Sequence, residues 1–487
     1  MDPLTDSRTK VVCTLGPASR DEETVRALIA AGMDIARVNL AHGEHEQHAA
    51  TIARVRRAAR DLEANVAVMA DLQGPKRRIG TLGVDSVDLN RGDAVVLVPG
   101  TASAASREIP VPDAAFLETL EEGSSVVLGD GRIVLEVRGI RCGRVDCTVQ
   151  AGGRLASRQG LRGVRTRPGA TTSALSPKDL DDLRFAVSQG VDVVALSFVG
   201  GAQDIEVLRA HIERLAAEPH RIAILAKIER RDAVSALDAI LDTADAVMVA
   251  RGDLGIEIPP EELPMLQKEI IERCRRAATP VVTATQMLLS MVDSHRPTRA
   301  EASDVANAVL DGTDAVMLSE ETAVGRHPVT ATEMMGRIAR IAESKTRQQL
   351  EPRSGASVEG SRETTNVVSE AAARIADRLG VRLIAAATSG GYTARRIARE
   401  RPTTPIIALS PSAVIARRLA LTWGVHPLSV PAYTTAEEMV SVVSSCLQTA
   451  GLARTGDLVL ITGGLPVGCK ATNFLRVHRI EEAEGQP

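Results

Sequence analysis

Eight short runs rich in Val, Ile, Leu and Ala recur in the first two-thirds of the chain, and stretches with helical spacing separate most of them. The runs are KVVCTLG (10–16), IARVNL (35–40), VAVMADL (66–72), VDVVALSF (191–198), RIAILAKIE (221–229), AVMVARGDL (246–254), PVVTATQML (280–288) and AVMLSEET (315–322). Most are almost continuously apolar, as strands buried on both faces require. Between them lie segments such as DEETVRALIAAG (21–32) and RAEASDVANAVLDG (299–312), each closed by a glycine. Eight strand-then-helix units predict an α/β fold of the (β/α)8 TIM-barrel type.

One interruption breaks the pattern. Residues 77–169 lack helical periodicity and read as short alternating strands, among them DAVVLV, SSVVLGDGRIVLEV and RVDCTVQ. They predict a small all-β domain inserted after the third barrel strand, at the end where such barrels carry their active sites, and so placed to act as a lid. After the Pro/Gly/Ser segment EPRSGASVEG (351–360), helix–strand alternation resumes with VRLIAAATSG, TPIIALSP, GVHPLSVP and GDLVLITGG. Too little chain remains for a second barrel, so this part predicts an open-sheet α/β domain. The expected division is a barrel from 1–76 and 170–345, a β-lid at 77–169 and a C-terminal domain at 346–487.

Composition narrows the function classes. The formal charge is −4, which excludes a protein that coats nucleic acid, and the 44% apolar content excludes a disordered chain. Only seven side chains are aromatic, so the cores must be built from small aliphatics. No run of 18 apolar residues is long enough to span a bilayer, and the opening MDPLTDSRTK has no apolar leader segment. Six cysteines without a C-x-x-C pair read as reduced thiols, so a cytoplasmic protein is expected. His42, His45 and His48, at i, i+3 and i+6, read as surface residues of a polar helix start rather than a metal cluster.

The ends of the apolar runs are unusually polar. They carry Arg37 and Asn39, Asp71, Lys227 and Glu229, Arg251 and Asp253, Thr285, and Ser319 and Glu321. In a barrel these ends converge on one mouth. On a strand, i and i+2 share a face, so Arg37/Asn39, Lys227/Glu229 and Arg251/Asp253 are each expected to point together. So many charges are not gathered for stability alone, because a buried ion pair roughly breaks even against apolar packing. Glu229 and Asp253 suit a hard cation such as Mg2+ or Mn2+. Arg37, Lys227 and Arg251 supply positive charge for a phosphoryl group and a carboxylate. No G-x-x-x-x-G-K-[ST] loop and no protein-kinase motif set is present, so a nucleotide is not held in those ways.

Several long segments resemble the pyruvate kinase family: TKVVCTLGPAS (9–19), AGMDIARVNLAHGEHEQH (31–48), ILAKIERRDAV (224–234), VMVARGDLGIEIP (247–259), ATQMLLSM (284–291), residues 296–328, and more weakly DLQGPKRRIG (71–80). The resemblance covers essentially the whole chain and implies phosphoryl transfer from phosphoenolpyruvate to ADP, giving pyruvate and ATP. It implies that Lys227 stabilises the phosphoryl group in flight and that Glu229 and Asp253 ligate the divalent metal. It assigns Arg37 to the substrate phosphate, Arg78 to a neighbouring active-site position, and Gly252 with Asp253 to substrate binding. Thr285 matches the threonine beside the enolate carbon, linked to its protonation. Asn39, His42 and Asp71 match the region of the nucleotide and monovalent cation, and Ser319 and Glu321 match the last strand. A homotetramer is likewise implied.

Departures from the family pattern carry information too. Members that require K+ hold it with an asparagine, a serine, an aspartate and a threonine, with a glutamate close by. Asn39 and Asp71 match, but Ala41, Leu72 and Lys76 replace the other three, so the chain is expected not to need K+, with the Lys76 ammonium as its surrogate. Gln159 stands where a lysine is common. In the C-terminal domain, Thr388, Ser389, Gly390, Gly391 and Thr393 open the helix ARRIARE, and the turn ITGGLPVGCKATN (461–473) is a candidate second wall. This loop is either a plain N-capped turn or a cradle for a phosphorylated effector, as the family binds in this region. Two other functions remain: a metal-dependent aldolase acting on pyruvate or phosphoenolpyruvate, and a non-catalytic phosphometabolite sensor. The first leaves Lys227 without a purpose; the second predicts loss of Lys227, Glu229 or Asp253, and all three are present.

Overall fold

The protein is described by a computed structural model over residues 7–75, 77–105, 107–129, 131–164, 174–216, 222–349, 363–467, 469 and 471–481. All eight apolar runs form strands: β1 (Lys10–Leu15), β2 (Ile35–Asn39), β3 (Ala67–Asp71), β4 (Val193–Leu196), β5 (Ala223–Ile228), β6 (Ala246–Ala250), β7 (Val281–Ala284) and β8 (Ala315–Leu318). They pair in parallel, each with its sequence neighbour, and β8 closes on β1. The helices between them start and stop on local chemistry. Asp21 accepts from Thr24 N to cap the helix Glu22–Ala30. Thr298 and Glu301 form a reciprocal capping box at the helix Arg299–Asp311, which ends on Gly312 at φ 101°.

Every second strand residue faces the barrel axis. Val12, Ile35, Ala67, Met69, Val193, Ala195, Ala223, Leu225, Ala246, Met248, Val282, Ala315 and Met317 form one buried interior cluster. With so few aromatics, aliphatic side chains and methionines fill the barrel in layers. Ala420 and Leu421, from the C-terminal part of the chain, belong to the same cluster.

The chain divides into two units: Met1–Leu72, Lys178–Arg251 and Pro264–Pro487 in one, Gln73–Pro177 and Gly252–Leu263 in the other. In the second, a six-stranded sheet runs in the order Leu161–Val164, Ser125–Leu128, Ile133–Arg141, Arg144–Ala151, Ala94–Pro99, Glu108–Val111. It is not purely β: the helix Ala114–Glu118, capped by Asp113, places Phe116 and Leu117 in its core. Five residues are too few to show helical periodicity in a sequence.

The C-terminal sheet comprises β9 (Ile384–Ala387), β10 (Ile406–Ser410), β11 (Val425–Ser429), β12 (Leu458–Gly463) and β13 (Phe474–Arg479), in the order β11-β10-β9-β12-β13. Alternation sends Leu383, Ala385 and Ala387 to one face, under Met439, Val443 and Leu447, and Ile384 and Ala386 to the other, under Ala372, Ala376 and Ile397. The antiparallel edge strand β13 was not among the expected strands. The segment 351–360 lies outside the described residues.

Candidate active site

The inward alternation that builds the apolar layers continues upward into polar residues. Val12 is followed two positions later by Thr14, Ile35 by Arg37, Met69 by Asp71, Ala195 by Ser197 and Leu225 by Lys227. These five side chains bond to one another. Arg37 donates from Nε to Asp71 Oδ2 at 2.7 Å and from Nη1 to Thr14 Oγ1 at 2.9 Å. Lys227 Nζ lies 3.3 Å from Asp71 Oδ1, 3.0 Å from Glu229 Oε1 and 2.7 Å from Ser197 Oγ. Three acceptors thus match the three ammonium protons. The Ser197 hydroxyl donates its own proton to Leu72 O at 2.7 Å, which turns a lone pair toward the lysine.

Asp71 and Glu229 are each 1% exposed. Burial by itself raises the Asp71 carboxyl, but the charges of Lys227 and Arg37 outweigh it and hold the group below its ordinary value. Burial likewise works against the Lys227 ammonium, yet Asp71 and Glu229 hold it above its ordinary value. Glu229 Oε2 accepts from Phe198 N at 2.7 Å, and Phe198 sits at φ 56°. The expected pairing of Lys227 with Glu229 is therefore present as a direct contact.

Arg251 and Asp253 do not lie on a strand, as the i, i+2 expectation required. Strand β6 ends at Ala250 and a helix runs from Arg251 to Glu257, so the i, i+2 rule for strands does not apply. Arg251 instead grips Asp304 at 2.8 Å, Thr285 O at 2.8 Å and Ala284 O at 3.2 Å. Its charge is paired there with the Asp304 carboxylate. Thr285 follows β7 at φ 71°, and its hydroxyl donates to Ala284 O at 2.6 Å. Glu321, also 1% exposed, does not extend β8: it accepts from Leu288 N at 3.0 Å and Ser319 N at 2.7 Å, tying the β7 and β8 loops together.

Asn39 ends β2, and its Oδ1 accepts from Ala41 N; His42 is exposed, and its carbonyl accepts from His48 Nε2. His45 pairs with the buried Asp182 at 2.8 Å and stacks on Phe185. Among the described residues no group of three or more His, Cys, Asp or Glu forms a metal cluster. In the second unit, Arg78 donates to Arg158 O at 3.1 Å, Gly252 lies in the helix Arg251–Glu257, and Asp253 Oδ1 accepts from Arg162 at 2.7 Å. Lys76 lies outside the described residues. At the C-terminal loop, Gly391 (φ 83°) caps the helix Tyr392–Arg399, and its amide donates to Thr388 Oγ1 at 2.9 Å. Thr393 and Thr472 hydroxyls meet at 3.0 Å, while Ser389 and Gly390 are exposed.

Sequence reasoning missed Thr14 and Ser197. Both were findable, since each sits two residues beyond an inward apolar position, but neither carries charge.

A closed parallel barrel, a buried layer of paired charges at one end and a separate α/β sheet define a (β/α)8-barrel enzyme. Comparison with known proteins specifies it further. Residues 6–332 match the family described as pyruvate kinase, barrel domain, and residues 366–478 match pyruvate kinase, alpha/beta domain. The chain is 41% identical to the pyruvate kinase of Geobacillus stearothermophilus over 490 residues, covering 98% of this chain and 82% of that one. It is 39% identical to that of Thermococcus litoralis over 481 residues, covering 98% and 99%. A crystal structure of a pyruvate kinase from Cryptosporidium parvum superposes with a TM-score of 0.88 at 32% identity, covering 98% and 97%. The chain belongs to the pyruvate kinase family.

Proposed function

We propose that this enzyme transfers the phosphoryl group of phosphoenolpyruvate to ADP, as a cytoplasmic, glycolytic, divalent-metal-dependent and K+-independent pyruvate kinase. The observation that carries this reading is the bonded layer Arg37–Asp71–Lys227–Glu229. Its two cations and two carboxylates cancel, and the carboxylates hold both cations in fixed positions. A preorganised ammonium can then meet charge developing on a phosphoryl group in flight without reorganising. Arg37 offers a planar fork to the substrate phosphate, and Lys227 a compact point charge to the group in transit.

A neutral layer gives a polyanion no net attraction, so a further cation is needed. Glu229 and Asp253 provide hard carboxylate oxygens that fit Mg2+ or Mn2+. When bound, such an ion supplies charge neutralisation for the phosphate and enolate oxygens. Thr285 is assigned to the enolate carbon, and Asn39, His42 and Arg78 to the nucleotide. The oxygens of Asn39 and Asp71 already accept bonds from Ala41 N, Arg37 and Lys227, and Leu72 is 1% exposed, which favours K+ independence.

The division 1–76 with 170–345, 77–169 and 346–487 is retained, with the second as a lid. The loop Thr388–Thr393 is assigned to a phosphorylated effector, and the assembly to a homotetramer. The test is ATP formation from phosphoenolpyruvate and ADP. Carbon–carbon bond cleavage in its place would favour the aldolase reading.

A further inference from the structure

Two consecutive residues after β7 adopt left-handed backbone: Thr285 at φ 71° and Gln286 at φ 55°. For a β-branched residue this is a genuine outlier, and it persists only where the surroundings over-determine it. Arg251 supplies that determination. Its Nη2 donates to Thr285 O at 2.8 Å and its Nε to Ala284 O at 3.2 Å. Those two carbonyls belong to the peptide planes on either side of Thr285, and the orientation of those planes is what φ and ψ of Thr285 describe. Ala284 O is also the acceptor for the Thr285 hydroxyl at 2.6 Å, so the same guanidinium borders the hydroxyl's own partner.

The guanidinium is itself anchored. Asp304 takes Nη1 and Nη2, each at 2.8 Å, and the Arg251 side chain is only 12% exposed. Beyond Gln286, the buried Glu321 holds Leu288 N at 3.0 Å. Residues 284–288 are thus pinned at both ends by charged side chains.

We infer that Arg251 is a positioning residue that fixes the conformation of Thr285 and thereby governs protonation of the enolate. The inference rests on the assignment of Thr285 to the enolate carbon. In that step the C2–C3 electron pair of the enolate forms a new C3–H bond, the C2–O bond becomes a carbonyl, and the proton comes ultimately from water. The guanidinium reaches the two carbonyls through different nitrogens, Nε and Nη2, while Nη1 and Nη2 hold Asp304; a lysine has a single nitrogen for all of these partners. If Arg251 merely closed the barrel end with Asp304, its loss would lower every partial reaction equally.

The test uses Arg251→Met, Arg251→Lys, Thr285→Ala and the double variant R251M/T285A in the full chain. Two rates are compared: ATP formation from phosphoenolpyruvate and ADP, and deuterium uptake at C3 of pyruvate, followed by NMR with Mg2+ and ATP present. Arg251→Met is expected to slow deuterium uptake at least tenfold more than ATP formation. In the Thr285→Ala background, the same change is expected to cost less than twofold further. Equal loss of both rates, no loss, or multiplicative losses in the double variant would overturn the inference. If Arg251→Met does not fold, Arg251→Lys carries the same comparison, since it keeps the charge and loses the fork. Failure of the unmodified chain to form any ATP would overturn the proposed reaction, and this inference with it; ATP formation without the split would overturn the inference alone.

Discussion

Replacing Ser197 by alanine removes one oxygen and no charge, which isolates its effect on Lys227. The hydroxyl accepts from Nζ at 2.7 Å, a shorter contact than that ammonium makes to Asp71 or Glu229, and donates to Leu72 O. A hydrogen bond to a charged group contributes about 1.5–3 kcal/mol. Expressed fully in the transition state, that is roughly 10- to 150-fold in rate at about 1.4 kcal/mol per factor of ten. Asp71 and Glu229 remain as partners, so the ammonium stays charged but drifts toward the carboxylates, and the expected loss in kcat is near the lower end, about tenfold. The KM for phosphoenolpyruvate is expected to change less than kcat, because Arg37 and its bonds to Asp71 and Thr14 are untouched. Unfolding stability is expected to fall by about 1–2 kcal/mol, the cost of leaving Leu72 O without this donor. The assay is steady-state ATP formation over a range of phosphoenolpyruvate concentrations, with thermal unfolding as the control. A kcat within twofold of the unmodified enzyme in a folded variant would refute the reasoning, since Ser197 would then not set the ammonium's position.

Chelation is expected to abolish activity and Mg2+ or Mn2+ to restore it, and Glu229→Gln is expected to raise the metal concentration needed for half-maximal rate; activity after exhaustive chelation would remove the metal from the mechanism. Initial rates in potassium- and ammonium-free buffer are expected to match those with KCl at constant ionic strength, and a many-fold rise specific to K+ would contradict K+ independence. Acidic replacements of Thr388 and Ser389 are expected to abolish activation by phosphorylated metabolites while leaving the maximal rate largely intact; if no metabolite alters the unmodified enzyme's kinetics, the loop is only a turn.

The barrel was legible because parallel strands buried on both faces leave long aliphatic runs, which a chain with seven aromatics builds from Val, Ile, Leu, Ala and Met. Arg37, Asp71 and Lys227 stood out because a charge at the end of an apolar run is costly unless paired. Ser197 did not, since a serine ending VDVVALS reads as a turn residue; its importance comes from β4 lying beside β5, which brings it to Lys227. The strand geometry expected at Arg251 failed for a related reason. Where a strand stops and a helix starts is set by tertiary contacts, and the shift from two to 3.6 residues per repeat turns a side chain away from its expected face. Strand β13 was invisible because FLRVHR mixes apolar and basic residues at an edge, where only one side is paired, to β12.

The most direct measurement is the turnover of Lys227→Ala in ATP formation, with circular dichroism and thermal unfolding to establish that it folds. An ammonium fixed by Asp71, Glu229 and Ser197 to meet the moving phosphoryl group predicts a fall in kcat of at least about a hundredfold, with a smaller change in the apparent affinity for phosphoenolpyruvate. Near-normal turnover in a folded Lys227→Ala protein would contradict it.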